Sequence, residues 1–341
     1  MSHAPTVSVC IPTYNGAAFL RPCLDSVLSQ SWRDIEVLVV DDVSSDDTLS
    51  IAESYSRRDH RISIFRNERN LGLVSNWNRC LTLARGEWIK FVFQDDALAP
   101  TCLERMIESA GNAHQLIFCG RDLIFEESVD HETRQSLRIT PSLHQLFPRE
   151  RNVSPERIRD TTLKETRNFF GEPTASLLHR SLIERFGGFN PHLAQLSDLE
   201  YWIRVASNVG LRYIPDSLAS FRVHASSTSA LNRASHLFRS RELDRLVLLH
   251  EFAYNAHFAG MRRTAKKLQP PRNFPLELAK RALWLEKVAI IAANDTTAPD
   301  PRPLEEWKKL VAAYPRLKHS GWHVPLRIGE WLDRHLMWRL R

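Results

Sequence analysis

No Gly-x-Gly-x-x-Gly follows the first strand-like run of this chain. Pro12-Thr13-Tyr14-Asn15 stands there instead, which disfavours the phosphate turn of a dinucleotide-dependent oxidoreductase. The Gly-rich, Arg- or Lys-bearing loop that a sugar nucleotidyltransferase needs is missing from the same place. No stretch approaches the ~18 consecutive apolar residues of a spanning helix. Met1-Ser2-His3-Ala4-Pro5 lacks the basic start and apolar stretch of a secretory leader. Cysteine is scarce. The five (Cys10, Cys23, Cys80, Cys102, Cys119) all fall in the first 120 residues and none forms a Cys-x-x-Cys pair. A disulfide framework or metal-thiolate site is thereby disfavoured, and the odd count suits reduced core thiols in the cytosol. No internal repeat stands out.

What is present is ordinary in bulk and uneven in detail. At 341 residues, 43% hydrophobic and 25% charged, the chain can bury a large core and exceeds the usual single domain. Residues 260–341 hold 17 Lys/Arg against 8 Asp/Glu, so the net charge of +6 comes from the C-terminal region. That region also carries five of the nine tryptophans: Trp284, Trp307, Trp322, Trp331 and Trp338. A near-neutral body with a basic, Trp-rich tail predicts two regions with two jobs.

Strand and helix signals alternate through the first 120 residues. Val7–Ile11 reads as a buried strand, and Leu20, Cys23, Leu24, Val27 and Leu28 recur at helical spacing. Strands over Ile35–Val40, Ile62–Phe65, Trp88–Phe93 and Gln115–Cys119 are separated by helices, one opened by Pro100 and a capping box Thr101-x-x-Glu104. The alternation predicts a parallel sheet with helices on both faces. Residues 120–170 read as polar and irregular. Further on, a helix at Leu199–Asn208 and strands at Leu211–Ile214 and Ser217–Val223 precede a helical, Pro-broken remainder.

Four clusters sit at predicted strand ends or helix starts. Pro12-Thr13-Tyr14-Asn15 can hold a nucleobase by edge and face, or be a simple turn. Asp41-Asp42 offers a carboxylate to an imide N–H, or is a solvated connection. Gln94-Asp95-Asp96 ends the Trp88–Phe93 run with adjacent carboxylates, which repel unless a cation or solvent compensates them. Ser197-Asp198-Leu199-Glu200 fits a helix-capping box as well as a general base at Asp198.

From Val7 to about Ser229 the chain resembles the family 2 glycosyltransferases. The likeness rests on ordered elements: Val7–Asn15, Leu24–Gln30, Val39-Val40-Asp41-Asp42 through Thr48, Asn70-Leu71-Gly72, and Ala84-Arg85-Gly86-Glu87. Gln94-Asp95-Asp96, Gly187-Gly188-Phe189, Asp198–Arg204 and Phe221-Arg222-Val223-His224 complete the series. The resemblance implies an α/β GT-A fold, a Rossmann-like mixed sheet flanked by helices. It further implies a catalytic domain over 1–233 (nucleotide half 1–120, acceptor half 121–233) and a helical region over 234–341. By the same likeness Pro12, Tyr14 and Asp42, in clusters that include Thr13 and Asn15, contact the nucleotide. Asp95 contacts ribose or a metal-bound water, and Asp96 holds Mn²⁺ or Mg²⁺ on the donor diphosphate. His224 touches metal or diphosphate, and Asp198 is the catalytic base. Ser197 replaces the Glu that often precedes that base, and Gln94 fills the first position of the Asp-x-Asp motif.

The expected activity is inverting, metal-dependent sugar transfer from a nucleotide diphosphate to a glycan or lipid-linked acceptor, in cell-surface polysaccharide biosynthesis. A glycosidase also uses paired carboxylates but has no need of a nucleotide pocket. A scaffold that keeps the fold without activity is the rival from another class. Nucleic acid is not an expected partner, because the basic excess does not lie beside an aromatic stacking platform. The tail instead suggests peripheral contact with the cytoplasmic face of the inner membrane. Ile328, Trp331, Leu332, His335 and Leu336 share a helical face, with Arg327, Arg334 and Arg341 spaced seven apart. The same helix packing on the catalytic domain is the alternative.

Overall fold

The structure, a computed structural model, describes residues 4–318 except 112, 166, 228–229 and 233–237, together with Trp322 and Leu326. The tail helix expected from Arg327 to Arg341 lies outside the described residues. The chain forms two compact units, 1–191 with 197–230 and 192–196 with 231–341.

Unbroken apolar runs dictate the centre of the first unit. β1 (Val7–Thr13) and β2 (Ile35–Asp41) are buried at every position, so both faces of the sheet are covered. β3 (Ile62–Arg66) and β4 (Trp88–Phe91) complete a parallel set in the order β3-β2-β1-β4. α1 (Leu20–Leu28), α2 (Thr48–Ser56), α3 (Leu73–Leu83) and α4 (Cys102–Ala110) connect and flank these strands. Residues of α1, α2 and α4 pack with Val7, Val9, Ile11, Val37 and Val39 into one core. On the other side α3 packs on β1 and β2.

Beyond β4 the expectation of a wholly parallel sheet gives way to a mixed one. β8 (Ser176–His179) runs antiparallel to β4 and to β6 (Leu116–Phe125). β9 (Leu211–Val223) lies parallel to β6, and β5 (Ala97–Leu98) and β7 (Asn152–Val153) pair with β9 antiparallel. The two strands expected within 211–223 are one, because Pro215-Asp216 forms an irregularity opposite Gly120 without ending the ladder. A Cβ on Gly120 would stand 2.6 Å from the Pro215 carbonyl, so the close approach requires glycine.

Residues 120–170 are not irregular. They complete β6 and form α5 (His131–Arg138), α6 (Leu143–Leu146) and α7 (Pro155–Lys164). Their caps were in the sequence: Asp130 accepts from the Thr133 amide, Ser142 and Gln145 make a capping box, and Ser154 accepts from the Arg157 amide. The box expected at Thr101 does not form. Thr101 makes no side-chain cap bond, and Glu104 accepts from the Ser31 hydroxyl at 2.8 Å. α8 (Arg180–Phe186) and α9 (Ser197–Val209) close the unit. An aromatic seam covers this side of the sheet, with Trp77 and Phe189 against Phe91, and Trp202 and Phe170 against Phe118.

The second unit is helical: α10 (Asp244–Tyr254), α11 (Ala259–Lys266), α12 (Phe274–Ala293) and α13 (Arg302–Ala313). Leu246, Phe252, Phe258, Leu278, Leu285 and Trp307 are among its buried residues. The Asp244 carboxylate accepts from the amides of Ala194, Gln195 and Leu196, while burial raises its pKa. Among the described residues no helix is long and apolar enough to cross a membrane. All five cysteines are free and buried.

Phe118 is fully buried between Phe170 and Trp202. Phe118→Ala is expected to lower unfolding stability by about 3–5 kcal/mol, read as a shifted guanidinium midpoint monitored by circular dichroism.

Candidate active site

The sheet's polarity fixes where the chemistry gathers. β1, β2 and β4 are parallel, so Thr13, Asp41 and the segment after Phe91 emerge at one edge, the carboxyl ends of the strands. The β4 ladder stops at Phe91 rather than at Phe93, and Val92-Phe93-Gln94-Asp95-Asp96 leave the sheet in a turn closed by the Asp96 amide on the Phe93 carbonyl at 3.0 Å.

Asp96 is 2% exposed. One carboxylate oxygen accepts from the Thr174 hydroxyl and the other from the Arg222 amide at 3.0 Å. Burial, reinforced by the charge of Asp95, pushes its carboxyl well above the ordinary carboxylate range. The same pair of charges, added to burial, raises the Cys23 thiol beneath them. Asp95 places Oδ2 3.0 Å from His224 Nε2, and its carbonyl accepts from Arg222 Nε at 3.1 Å. The His224 ring is fixed at the far nitrogen by Ser226 Oγ at 2.9 Å and lies 4.7 Å from the Phe19 ring. Arg222 is anchored by Glu126 at 2.7 Å and lies over the Phe19 ring. Thus Asp95, Asp96 and His224 share one corner.

Among the described residues no three His, Cys, Asp or Glu side chains converge as a ready-made metal cage. Two adjacent hard-oxygen carboxylates, one disfavoured as an anion by its burial, nevertheless suit Mg²⁺ or Mn²⁺. Such ions take one or two carboxylates and complete their shells with water and phosphate.

Lys90 lies beneath this corner, wholly buried in β4, and donates to the carbonyls of Thr174 and Ser176. It therefore helps to hold the segment from which Thr174 reaches Asp96 and accepts from the Phe93 amide.

Asp198 opens α9. Its carboxylate accepts from Asn168 Nδ2 at 3.0 Å and from the Leu199 amide at 2.7 Å. Enclosure of the carboxyl group, with the Glu172 charge adding to it, pushes its pKa up to about 7. Asn168 is itself set by accepting from the amides of Phe170 and Gly171, where Gly171 takes a left-handed φ of 95°. Glu172 pairs with Arg121 on β6. The loop Asn168–Thr174 therefore touches Asp198 at one end and Asp96 at the other. Its midpoint charge at Glu172 raises both carboxyls.

Glu200 forms a buried bidentate pair with Arg204, 2.9 Å from Oε1 and 3.0 Å from Oε2.

The first two clusters form one layer. Pro12 and Thr13 are the last residues of β1 rather than part of the turn, and the ladder to β4 ends at Cys10, two residues before proline removes a donor. Tyr14 is 51% exposed, and its amide and carbonyl pair with the Gln94 side chain at 2.9 and 3.1 Å. Asn15, at φ 47°, donates from its amide to Ser44 Oγ and accepts from the Ser45 amide at 2.8 Å.

Asp41 accepts from Thr13 Oγ, Ser44 Oγ and the Ser44 amide. Asp42 accepts from Asn67, Leu71 and Gly72, so its carboxylate closes the 67–72 loop below the mouth. Directly after Asp42, Val43, a β-branched residue, is held at φ 65°, a strained conformation. Sequence reading passed over Asn168, Glu172, Thr174, Arg121 and Lys90.

Comparisons with known proteins bear on the family and the fold. The family model described as glycosyl transferase family 2 matches residues 8–187. An uncharacterized protein, MT1568, of Mycobacterium tuberculosis is 36% identical over 255 residues, 72% of this chain and 76% of that protein. GalNAc(5)-diNAcBac-PP-undecaprenol beta-1,3-glucosyltransferase of Campylobacter jejuni is 35% identical over 124 residues, 36% of this chain and 40% of that enzyme. The solved mannosyltransferase PcManGT of Pyrobaculum calidifontis, in complex with GDP-Man and Mn²⁺, superposes with a TM-score of 0.54 at 18% identity. That superposition covers 97% of this chain and 88% of that one. With a GT-A sheet and a family match over more than half its length, the chain belongs to glycosyl transferase family 2 and is a glycosyltransferase.

Proposed function

We propose that this glycosyltransferase is inverting and metal-dependent, and that it moves a sugar from a nucleoside diphosphate to a hydroxyl of a glycan or lipid-linked acceptor. The observation that carries the proposal is the Asn168–Thr174 loop, with a buried carboxylate at one end and a carboxyl of pKa about 7 at the other. Pro12, Thr13, Tyr14, Asn15 and Asp42 form the nucleotide side, where the exposed Tyr14 ring offers a face to a base. Asp96 and His224 would hold a divalent ion, with Asp95 towards the ribose or a metal-bound water, and the ion's charge, when bound, would offset the negative charge of the departing diphosphate.

The chain's own chemistry is proton removal. An alcohol is a weak nucleophile at neutral pH, so Asp198 accepts the acceptor's hydroxyl proton as the oxygen attacks the anomeric carbon. Asn168 fixes the direction of that carboxylate. Enclosure raises its basicity towards the working pH, where a general base is most effective. A single base opposite the leaving group gives in-line displacement and inversion. The undecaprenol-linked substrate named for the Campylobacter relative supports a lipid-linked acceptor and a role in cell-surface polysaccharide synthesis at the cytoplasmic membrane face.

Turnover of UDP-, GDP- and dTDP-sugars, each with Mn²⁺ or EDTA, tests the whole reading. One donor class consumed only with metal is expected, and no consumption of any donor would refute it. Asp198→Asn is expected to lower kcat by ~10²–10⁴ while leaving donor binding near the parent value. An unchanged kcat would remove Asp198 from the reaction. Because the basic form of Asp198 is the active one, kcat should fall as pH drops through about 7, well above the range of an ordinary carboxylate. A limb near pH 4 in the parent enzyme would contradict the assignment.

A further inference from the structure

Two arginines without carboxylate partners stand beside the proposed base. α5 places Arg134 and Arg138 one turn apart, and both guanidiniums lie over the Phe125 ring, 5.3 and 5.6 Å from its centre. Arg134 is anchored by donating to the carbonyls of Val129 and Glu126, at 2.9 and 2.6 Å. Arg138 is exposed, and among the described residues neither guanidinium makes an ion pair. The acids of this segment are engaged or turned away. Glu126 pairs with Arg222 at 2.7 Å, and the Asp130 carboxylate is taken up by Thr133. Glu132 sits about 200° around the helix from Arg134, on the far side. Glu127 is exposed in the turn before α5.

Two connections tie the arginine pair to the site. Arg121, Leu123 and Phe125 alternate along a regular stretch of β6, so they share one face of the sheet. On that face Arg121 pairs with Glu172 of the Asn168–Thr174 loop. At the end of α5 the Ile139 carbonyl accepts from Arg167 at 3.1 Å. The next residue, Asn168, donates to Asp198.

We infer that Arg134 and Arg138 hold a phosphate or diphosphate group of the acceptor whose hydroxyl Asp198 deprotonates. Like charges four apart on a helix repel, and an anion between them removes that cost. Two forked guanidiniums suit the several oxygens and double charge of a phosphate better than the single charge of a carboxylate. This role rests on the reading of Asp198 as the base, and it narrows the acceptor to a phosphorylated one.

Calorimetry on the full chain in EDTA, without nucleotide, tests it with two probes, farnesyl diphosphate and glycerol 3-phosphate. The parent protein is expected to bind at least one of them. Arg138→Ala, which breaks no polar contact of the fold, should bind that probe at least about tenfold more weakly while keeping its thermal transition. Farnesyl diphosphate bound alone assigns the phosphate to a lipid-linked acceptor, whereas equal binding of both shows that a phosphate ester without a lipid chain suffices.

Binding of neither probe, or equal binding by Arg138→Ala, overturns the inference. A loss in Arg138→Ala that extends to Mn²⁺-dependent nucleotide binding overturns it too, since the pair would then serve the donor. Failure of the parent protein to consume any nucleotide sugar with Mn²⁺ overturns the transfer reading instead, and leaves the phosphate binding as measured.

Discussion

Two neighbouring carboxylates, Asp95 and Asp96, are forced together at the end of a buried strand, and the first unit is organised around tolerating them. β4 delivers them, and β9 supplies the Arg222 amide and His224. The segment before β8 supplies Thr174, and the approach to α1 supplies Phe19 behind the histidine. Asp96 remains costly as an anion even so, since its burial outweighs the hydrogen bonds it receives. In the proposed reaction a divalent ion would offset that cost.

The proposed base, Asp198, follows a different logic. Asp198 accepts two hydrogen bonds, yet enclosure and the nearby Glu172 leave its proton affinity near neutrality. Pairing Glu172 with Arg121 limits how far that negative charge reaches. The loop carrying Asn168, Glu172 and Thr174 thus ties two proposed roles, cation holding and proton acceptance, to a single segment. In the proposed reaction, movement of that segment would alter both at once.

Legibility in the sequence followed locality. The strands from Val7 to Phe91 were visible because buried parallel strands are continuous apolar runs, and the acidic dipeptides at their ends were visible as departures from those runs. The reversal of β8 was not, since the sense of pairing depends on partners distant in sequence. Residues 120–170 were misread as irregular because α5 and α7 are mostly polar, and their identity rests on the caps Asp130 and Ser154. Asn168 and Thr174 carry no periodic signal at all. They matter only because folding brings them to Asp198 and Asp96. Asp42 shows the converse: a conspicuous residue whose carboxylate is occupied by its own 67–72 loop.

The central claim is that Asp96 makes nucleotide binding dependent on a divalent ion, and titration calorimetry addresses it most directly. UDP, GDP and dTDP would each be titrated into the parent protein and into Asp96→Ala, with Mn²⁺ and with EDTA. The account predicts that one of these nucleotides binds the parent protein with Mn²⁺, and that this binding is lost in EDTA and in Asp96→Ala. Equal affinity in the variant, or binding indifferent to the metal, would contradict it.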